Sequence, residues 1–497
     1  MRTSTRPPRH RTFTPALACS TRLVLASLLA GATTAFPAES SPREIPVPPI
    51  LAPLGRLPPT SELPDRPALP DPLTMDNGTP VTTRVQWPQR RSEILRTLEY
   101  YAVGQAPPPP GNVHATLVQT QTLAGGKFTY RLIQLTFGPD QRLSLDIGIF
   151  TPATGGPFPA VIAPTGPPPG AKPLPRLPNG PTQGRGTNVL LVVGGPPSLA
   201  PNPPATAPSG DPSPATPPNG SRSNVNPPND PEKIAANQAA LARGYAYVVF
   251  NHNDCGEDTT LRNADGSWAF RNTRFFPAYP GYDWGLLRSW AWGVSRIIDY
   301  LQTDPTIDAE KLIITGASRT SKSAMVAAAF DERIALGAPV VTGGGGIGAY
   351  RFTGPRKSET LDVMMTKYPN WFSPQLHPFR GQVQKLPFDQ HWFLAACAPR
   401  AFIALEGDTD TISLPAAVQQ SIAGAQPVYA LFGATDRLAV NYAPHGHGFN
   451  ADDWSALLDF ADHTLLGQKT TRRFDRFPTE TELDAALARP TTTGRKK

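Results

Sequence analysis

Residues 311–325, KLIITGASRTSKSAM, decide how the chain is read. Leu312–Thr315 is a β-branched apolar run of the kind that forms a buried strand, and the alanine-rich segment after Ser318 suits a helix. Ser318 therefore sits where a strand turns sharply into a helix. Such a turn exposes the hydroxyl, and the amino end of the helix faces any negative charge that develops beside it. Gly-x-Ser alone is weak evidence, because a serine at a strand-to-helix turn also serves as an ordinary N-cap. The second glycine of the usual serine-hydrolase elbow is Thr320 here, and the residue after the serine is a charged arginine, Arg319.

Outward from this stretch the pattern is regular. EKIAANQAALARG, DWGLLRSWAWGVSRIIDYLQ and SKSAMVAAAFDERI carry helical spacing, as does the closing ADDWSALLDFADHTLLG. YAYVVFN, KLIITGAS, GAPVVTG, RAFIALEG and PVYALFG are predicted as strands. Upstream, WPQRRSEILRTLEYYAVG reads as a helix, and KFTYRLIQLTF, RLSLDIGIFTP, FPAVIAPTG and NVLLVVGGP as strands. Alternating strand and helix predicts a mostly parallel sheet covered by helices on both faces, a three-layer α/β sandwich with its chemistry at the carboxyl ends of the strands.

A serine nucleophile needs a base and a carboxylate to orient it, and in this fold they follow in the order Ser, acid, His. RAFIALEGDTDTISLP offers Asp408 and Asp410 after a predicted strand, and NYAPHGHGFNADDW offers His445 and His447 before the last helix. Either aspartate also suits a turn. His391 precedes the acid-bearing strand and reads as a packed residue. His252, Asp254 and Cys255 lack the spacing of a zinc site, so no metal is expected, and acyl transfer of this kind needs no organic cofactor.

Composition sets the remaining expectations. The chain has 497 residues and 61 prolines, far above the usual share of about 5%, concentrated outside the patterned segments. Residues 1–38 have the form of an export signal, with arginines at 2, 6, 9, 11 and 22, no acidic residue, and an apolar stretch ending in small residues. Five of the seven net positive charges lie there, so no nucleic-acid partner is expected. No later run reaches membrane-spanning length. A secreted or periplasmic, monomeric protein is expected, with a proline-rich leader over 39–70, a catalytic domain over 71–470 and a tail over 471–497. An insertion at about 196–231 is too rich in proline for regular structure. Cys255 and Cys397 are open to either reading, one disulfide or two buried thiols.

The motif Gly316-x-Ser318-Arg319-x-x-Lys322 resembles the G-C-S-R-x-G-K of glucuronoyl esterases, carbohydrate esterase family 15, an α/β-hydrolase family. Further blocks in family order, among them SETLDVMMTKYPNWF, KLPFDQHWFLAACAPR and DDWSALLDFADHTL, extend the resemblance over most of residues 70–467. It implies a serine esterase acting on esters of (4-O-methyl)glucuronic acid, as in links between glucuronoxylan and lignin. It implies Asp410 as the acid, His447 as the base, Arg319 in the oxyanion hole, and Lys322 and Glu359 as sugar contacts.

The sequence also departs from the family. The cysteine before the serine is Ala317. A second acid after the preceding strand is absent from PVVTGGGGIGAYR, and the tryptophan and asparagine of the acid loop are Ile412 and Leu414. The loss of that tryptophan removes an aromatic sugar platform unless Trp371, Trp392 or the insertion replaces it. Two alternatives follow: an esterase of the same fold with another carbohydrate or aromatic ester as substrate, and a catalytically weak polysaccharide-binding protein.

Overall fold

The structure, a computed structural model, describes residues 56–177, 230–352, 354 and 358–488, all within one unit of the chain. Nine strands form one sheet: β1 (His114–Leu123), β2 (Phe128–Phe137), β3 (Leu143–Pro152), β4 (Phe158–Pro164), β5 (Ala246–Phe250), β6 (Ile307–Ala317), β7 (Ile334–Val340), β8 (Ala401–Gly407) and β9 (Leu438–Ala443). Their spatial order is β1-β2-β3-β5-β4-β6-β7-β8-β9. The pairs β1–β2, β2–β3 and β3–β5 are antiparallel and the rest are parallel. This is the α/β-hydrolase arrangement expected from the sequence.

Alternation along the central strands explains the layering. In β6, Leu312 and Ile314 enter one core and Ile313 the other; in β8, Phe402 and Ala404 oppose Ile403 and Leu405. Every one of these side chains is essentially fully buried, so the strands must be covered on both faces. Helices α1 (Trp87–Thr97), α2 (Pro231–Asn237), α3 (Ala239–Ala242), α4 (Leu286–Leu301), α5 (Arg319–Phe330), α6 (Leu361–Lys367), α7 (His391–Cys397), α8 (Pro415–Phe432), α9 (Ala451–Leu466) and α10 (Glu480–Ala488) follow in chain order. Residues of α1, α4, α5, α7 and α8 build the larger core, and those of α2, α3 and α9 the other.

Several expectations change. PVYALFG, predicted as a strand, is the last two turns of α8. The buried residues Val418, Ile422, Ala425, Val428 and Tyr429 recur at three- and four-residue steps, so one apolar helix face overrides the local β-propensity, and Pro427 is accommodated within it. The missing strand is β9, LAVNYA, which pairs with β8. The helix predicted over EKIAANQAALARG breaks at Gln238, whose extended backbone caps α3.

The leader predicted over 39–70 is held against the domain in its described part. His391 Nε2 (2.8 Å) and Trp392 Nε1 (3.0 Å) bond the Pro70 carbonyl, and Arg66 N–H donates to Gln384 O (2.6 Å). His391 is thus a packed residue. The described part of the tail, 471–488, pairs with β9 through Val440 N–H to Phe474 O (2.9 Å) and ends in α10. The predicted signal, the strand NVLLVVGGP and almost all of the insertion lie outside the described residues. Cys255 and Cys397 are both free and buried. Among the described residues no helix is long and apolar enough to cross a membrane.

Candidate active site

Ser318 closes β6 and caps α5 with φ 56° and ψ −119°, a conformation that a residue with a Cβ adopts only under strain. The turn is braced on both sides. Thr320 Oγ1 accepts the Ala317 N–H (3.0 Å), and Ser318 N–H donates to Val340 O in the neighbouring strand (3.1 Å). Gly316 must lack a side chain, because a Cβ there would lie 2.8 Å from the Thr320 backbone. Thr320 is the residue that replaces the second glycine of the usual elbow, and here it acts as the brace.

Three loops at the carboxyl ends of β6, β8 and β9 converge on this serine. His447 Nε2 lies 2.8 Å from Ser318 Oγ, and His447 Nδ1 lies 2.8 Å from Asp410 Oδ2. The tautomer that satisfies both contacts donates from Nδ1 to the carboxylate and accepts at Nε2 from the hydroxyl. Asp410 Oδ1 accepts the backbone N–H groups of Ile412 (2.7 Å) and Ser413 (3.0 Å). Burial alone would raise the Asp410 pKa, but the His447 hydrogen bond and charge, with these backbone donors, outweigh it and hold the carboxyl below its usual range.

The second histidine of the pair is engaged elsewhere. His445 contacts Asp453 Oδ1 (3.2 Å) and Gly446 O (2.7 Å), and Asp453 itself completes the capping box of α9. Asp408 makes its backbone bond to Ala443 O (2.9 Å). His252, half-buried, packs edge-on against Trp290; loss of solvent around the ring first, then Arg319 and Arg176, push its pKa down to about 3, which keeps it neutral.

Arg319 begins α5 and turns its guanidinium onto Asp258, with its Cζ 5.6 Å from the Trp371 ring centre. The other Asp258 oxygen accepts Trp371 Nε1–H (2.7 Å), and Tyr368 stacks on the same indole at 4.2 Å. One turn along, Lys322 is 1% exposed, and its ammonium bonds Glu359 Oε2 (2.8 Å) and the Thr342 carbonyl. Gly343 and Gly344 permit this approach, because a Cβ on either would strike Glu359. The six site residues predicted from the sequence therefore lie along two neighbouring helical turns and the loops that face them. Such an arrangement can deprotonate a hydroxyl, hold an oxyanion and seat a polar acyl group.

A family profile described as glucuronyl esterase, fungi, matches residues 227–433. A carbohydrate esterase from an unknown prokaryotic organism is 25% identical over 422 residues, covering 80% of this chain and 90% of its own. A 4-O-methyl-glucuronoyl methylesterase of Neurospora crassa is 27% identical over 409 residues, covering 80% and 82%. Among solved structures, a promiscuous family 15 carbohydrate esterase from a marine bacterial metagenome superposes with a TM-score of 0.61 at 25% identity, over 82% of this chain and 98% of that one. In sequence and in fold the chain is similar to glucuronoyl esterases. It is a carboxylic-ester hydrolase.

One residue of the site, Asp258, is not legible in the sequence. In NHNDCGED it anchors Arg319, yet nothing in that string distinguishes it from the five other polar residues around it. The aromatic question is also resolved for the described residues: Trp371 (2% exposed) packs beneath Arg319, and Trp392 (4%) lies under Arg90. Neither offers a free face to a sugar. Ile412, 40% exposed, stands in the acid loop in place of the tryptophan.

Proposed function

We propose that this enzyme hydrolyses esters of the glucuronic-acid carboxyl group by an acyl-enzyme route. The observation that carries the reading is the unbroken chain Asp410–His447–Ser318 ending beside Arg319 and the buried Lys322–Glu359 pair. His447 takes the Ser318 proton as Oγ attacks the ester carbonyl. The backbone N–H and guanidinium of Arg319 meet the oxyanion, His447 returns the proton to the departing alcohol, and water then releases the acid by the reverse sequence. Lys322 and Glu359 contact the hydroxyls of the uronate ring. The natural ester is of the glucuronoxylan–lignin type, and the arginine-rich N-terminal segment directs export to it.

Asp258 keeps the Arg319 fork aimed without reorganisation during the reaction. Arg319→Met is expected to lower kcat by about 10²–10³-fold, the loss typical of an oxyanion donor. Asp258→Asn, which leaves the arginine present but loosely held, should cost about tenfold in kcat with little change in KM. Steady-state kinetics on one ester decide this; a wild-type kcat for Arg319→Met removes it from the oxyanion hole.

The exposed Ile412 favours one second reading, an esterase that accepts a different acyl group. Rates on benzyl glucuronate and p-nitrophenyl acetate separate the two. The first reading expects kcat/KM to favour the glucuronate ester; rapid acetate release with no glucuronate cleavage supports the second.

A further inference from the structure

Beneath the acid loop lies a buried group that the reaction scheme leaves unused. Glu406, the last side chain of β8 before Gly407, has no exposed surface. Its Oε1 accepts from Thr342 N–H (3.4 Å) and Thr342 Oγ1–H (3.3 Å), while Oε2 has no hydrogen-bond partner among the described residues. Burial and then the nearby Asp410 raise its pKa well above the usual carboxylate value, which disfavours its charged form. A second cost falls beside it. Val341, fully buried and β-branched, holds φ at 45° while its N–H donates to Leu405 O (2.8 Å), a backbone state such residues avoid.

These costs have one geometric product. The kink at Val341 turns Thr342 so that its N–H and hydroxyl face Glu406 and its carbonyl receives Lys322. On the other side, Gly407 O accepts the Asp410 N–H (3.1 Å), closing the turn that presents the catalytic carboxylate. A continuous polar path therefore runs from Glu359 through Lys322 and Thr342 to Glu406, directly under Asp410.

We propose that the Thr342–Glu406 contact is a strut that fixes the acid loop relative to the Lys322–Glu359 pair, making Glu406 a positioning residue for Asp410. The proposal rests on Asp410 acting as the acid. Ordinary core filling would be served better by leucine, because a buried carboxyl with an unpartnered oxygen destabilises the fold that holds it. The strut is kept for geometry, since small displacements of a catalytic group cost large factors in rate.

Glu406→Leu, Glu406→Gln, Thr342→Val and Thr342→Ser test this, with kcat, KM and Tm measured on p-nitrophenyl acetate and benzyl glucuronate. Glu406→Leu should keep or raise Tm yet lose about tenfold or more in kcat, with KM near the wild-type value. Glu406→Gln, which retains an acceptor for Thr342, should recover most of that loss. If Glu406→Leu does not fold, the threonine pair decides: valine should lose rate and serine keep it. A wild-type kcat in Glu406→Leu, a rate loss that tracks a fall in Tm, or equal behaviour of the two threonine variants overturns the strut. Asp410→Asn provides the separation from the underlying reading. If that variant is active, the triad assignment fails; if it is inactive while Glu406→Leu is normal, only the strut fails.

Discussion

Ser318→Ala is expected to lower kcat on any ester substrate by about a million-fold, the loss seen when the nucleophile of a triad is removed, while the melting temperature stays near that of the wild type. The reason for the first effect is that no other hydroxyl occupies the position of Ser318 Oγ, 2.8 Å from His447 Nε2. The reason for the second is that the elbow is braced by Thr320 and by the bond from Ser318 N–H to Val340 O, and alanine keeps both. Labelling with a fluorophosphonate gives an independent readout: the wild type should be modified at Ser318 and the variant not at all. An active Ser318→Ala, or wild-type protein that binds xylan but never labels, would return the site to the binding-protein reading.

The parts of this molecule that were legible in the sequence share a physical cause. Strands β4 to β8 are short apolar runs bounded by turn residues and separated by helical periods, so pattern alone predicts a parallel sheet. The elbow was legible because strand, serine and helix are contiguous. The pairs Asp408/Asp410 and His445/His447 were not separable from the residues themselves, since both members suit the same loop; the family motif selected one of each, and the geometry brings together the same two. The failures involve long-range packing. PVYALFG is helical because Val428 and Tyr429 continue the buried face set by Val418 and Ile422. β1 alternates weakly, being mostly exposed at the sheet edge. Asp258 and Glu406 gain meaning only from partners 61 and 64 positions away, and no local pattern records such a contact.

Asp410→Asn should reduce kcat by about ten-thousand-fold, and Asp408→Asn should leave it within a few-fold of the wild type. An asparagine at 410 preserves shape, and its oxygen can still accept the Ile412 and Ser413 N–H groups that hold the carboxylate. Its NH2 then faces His447 Nδ1, which favours the tautomer protonated at Nε2, and that nitrogen can no longer take the Ser318 proton. The defect is therefore in charge and tautomer rather than in folding, and the melting temperature should fall by only a few degrees. Asp408 lies two residues earlier, outside this hydrogen-bond chain, with its backbone tied to Ala443. Parallel kinetics of the two variants decide the assignment. Glu406 is fully buried, and burial disfavours its charged form, so it is a poor replacement for the lost charge and residual activity in Asp410→Asn should stay low. A large loss in Asp408→Asn with activity retained in Asp410→Asn would exchange their roles.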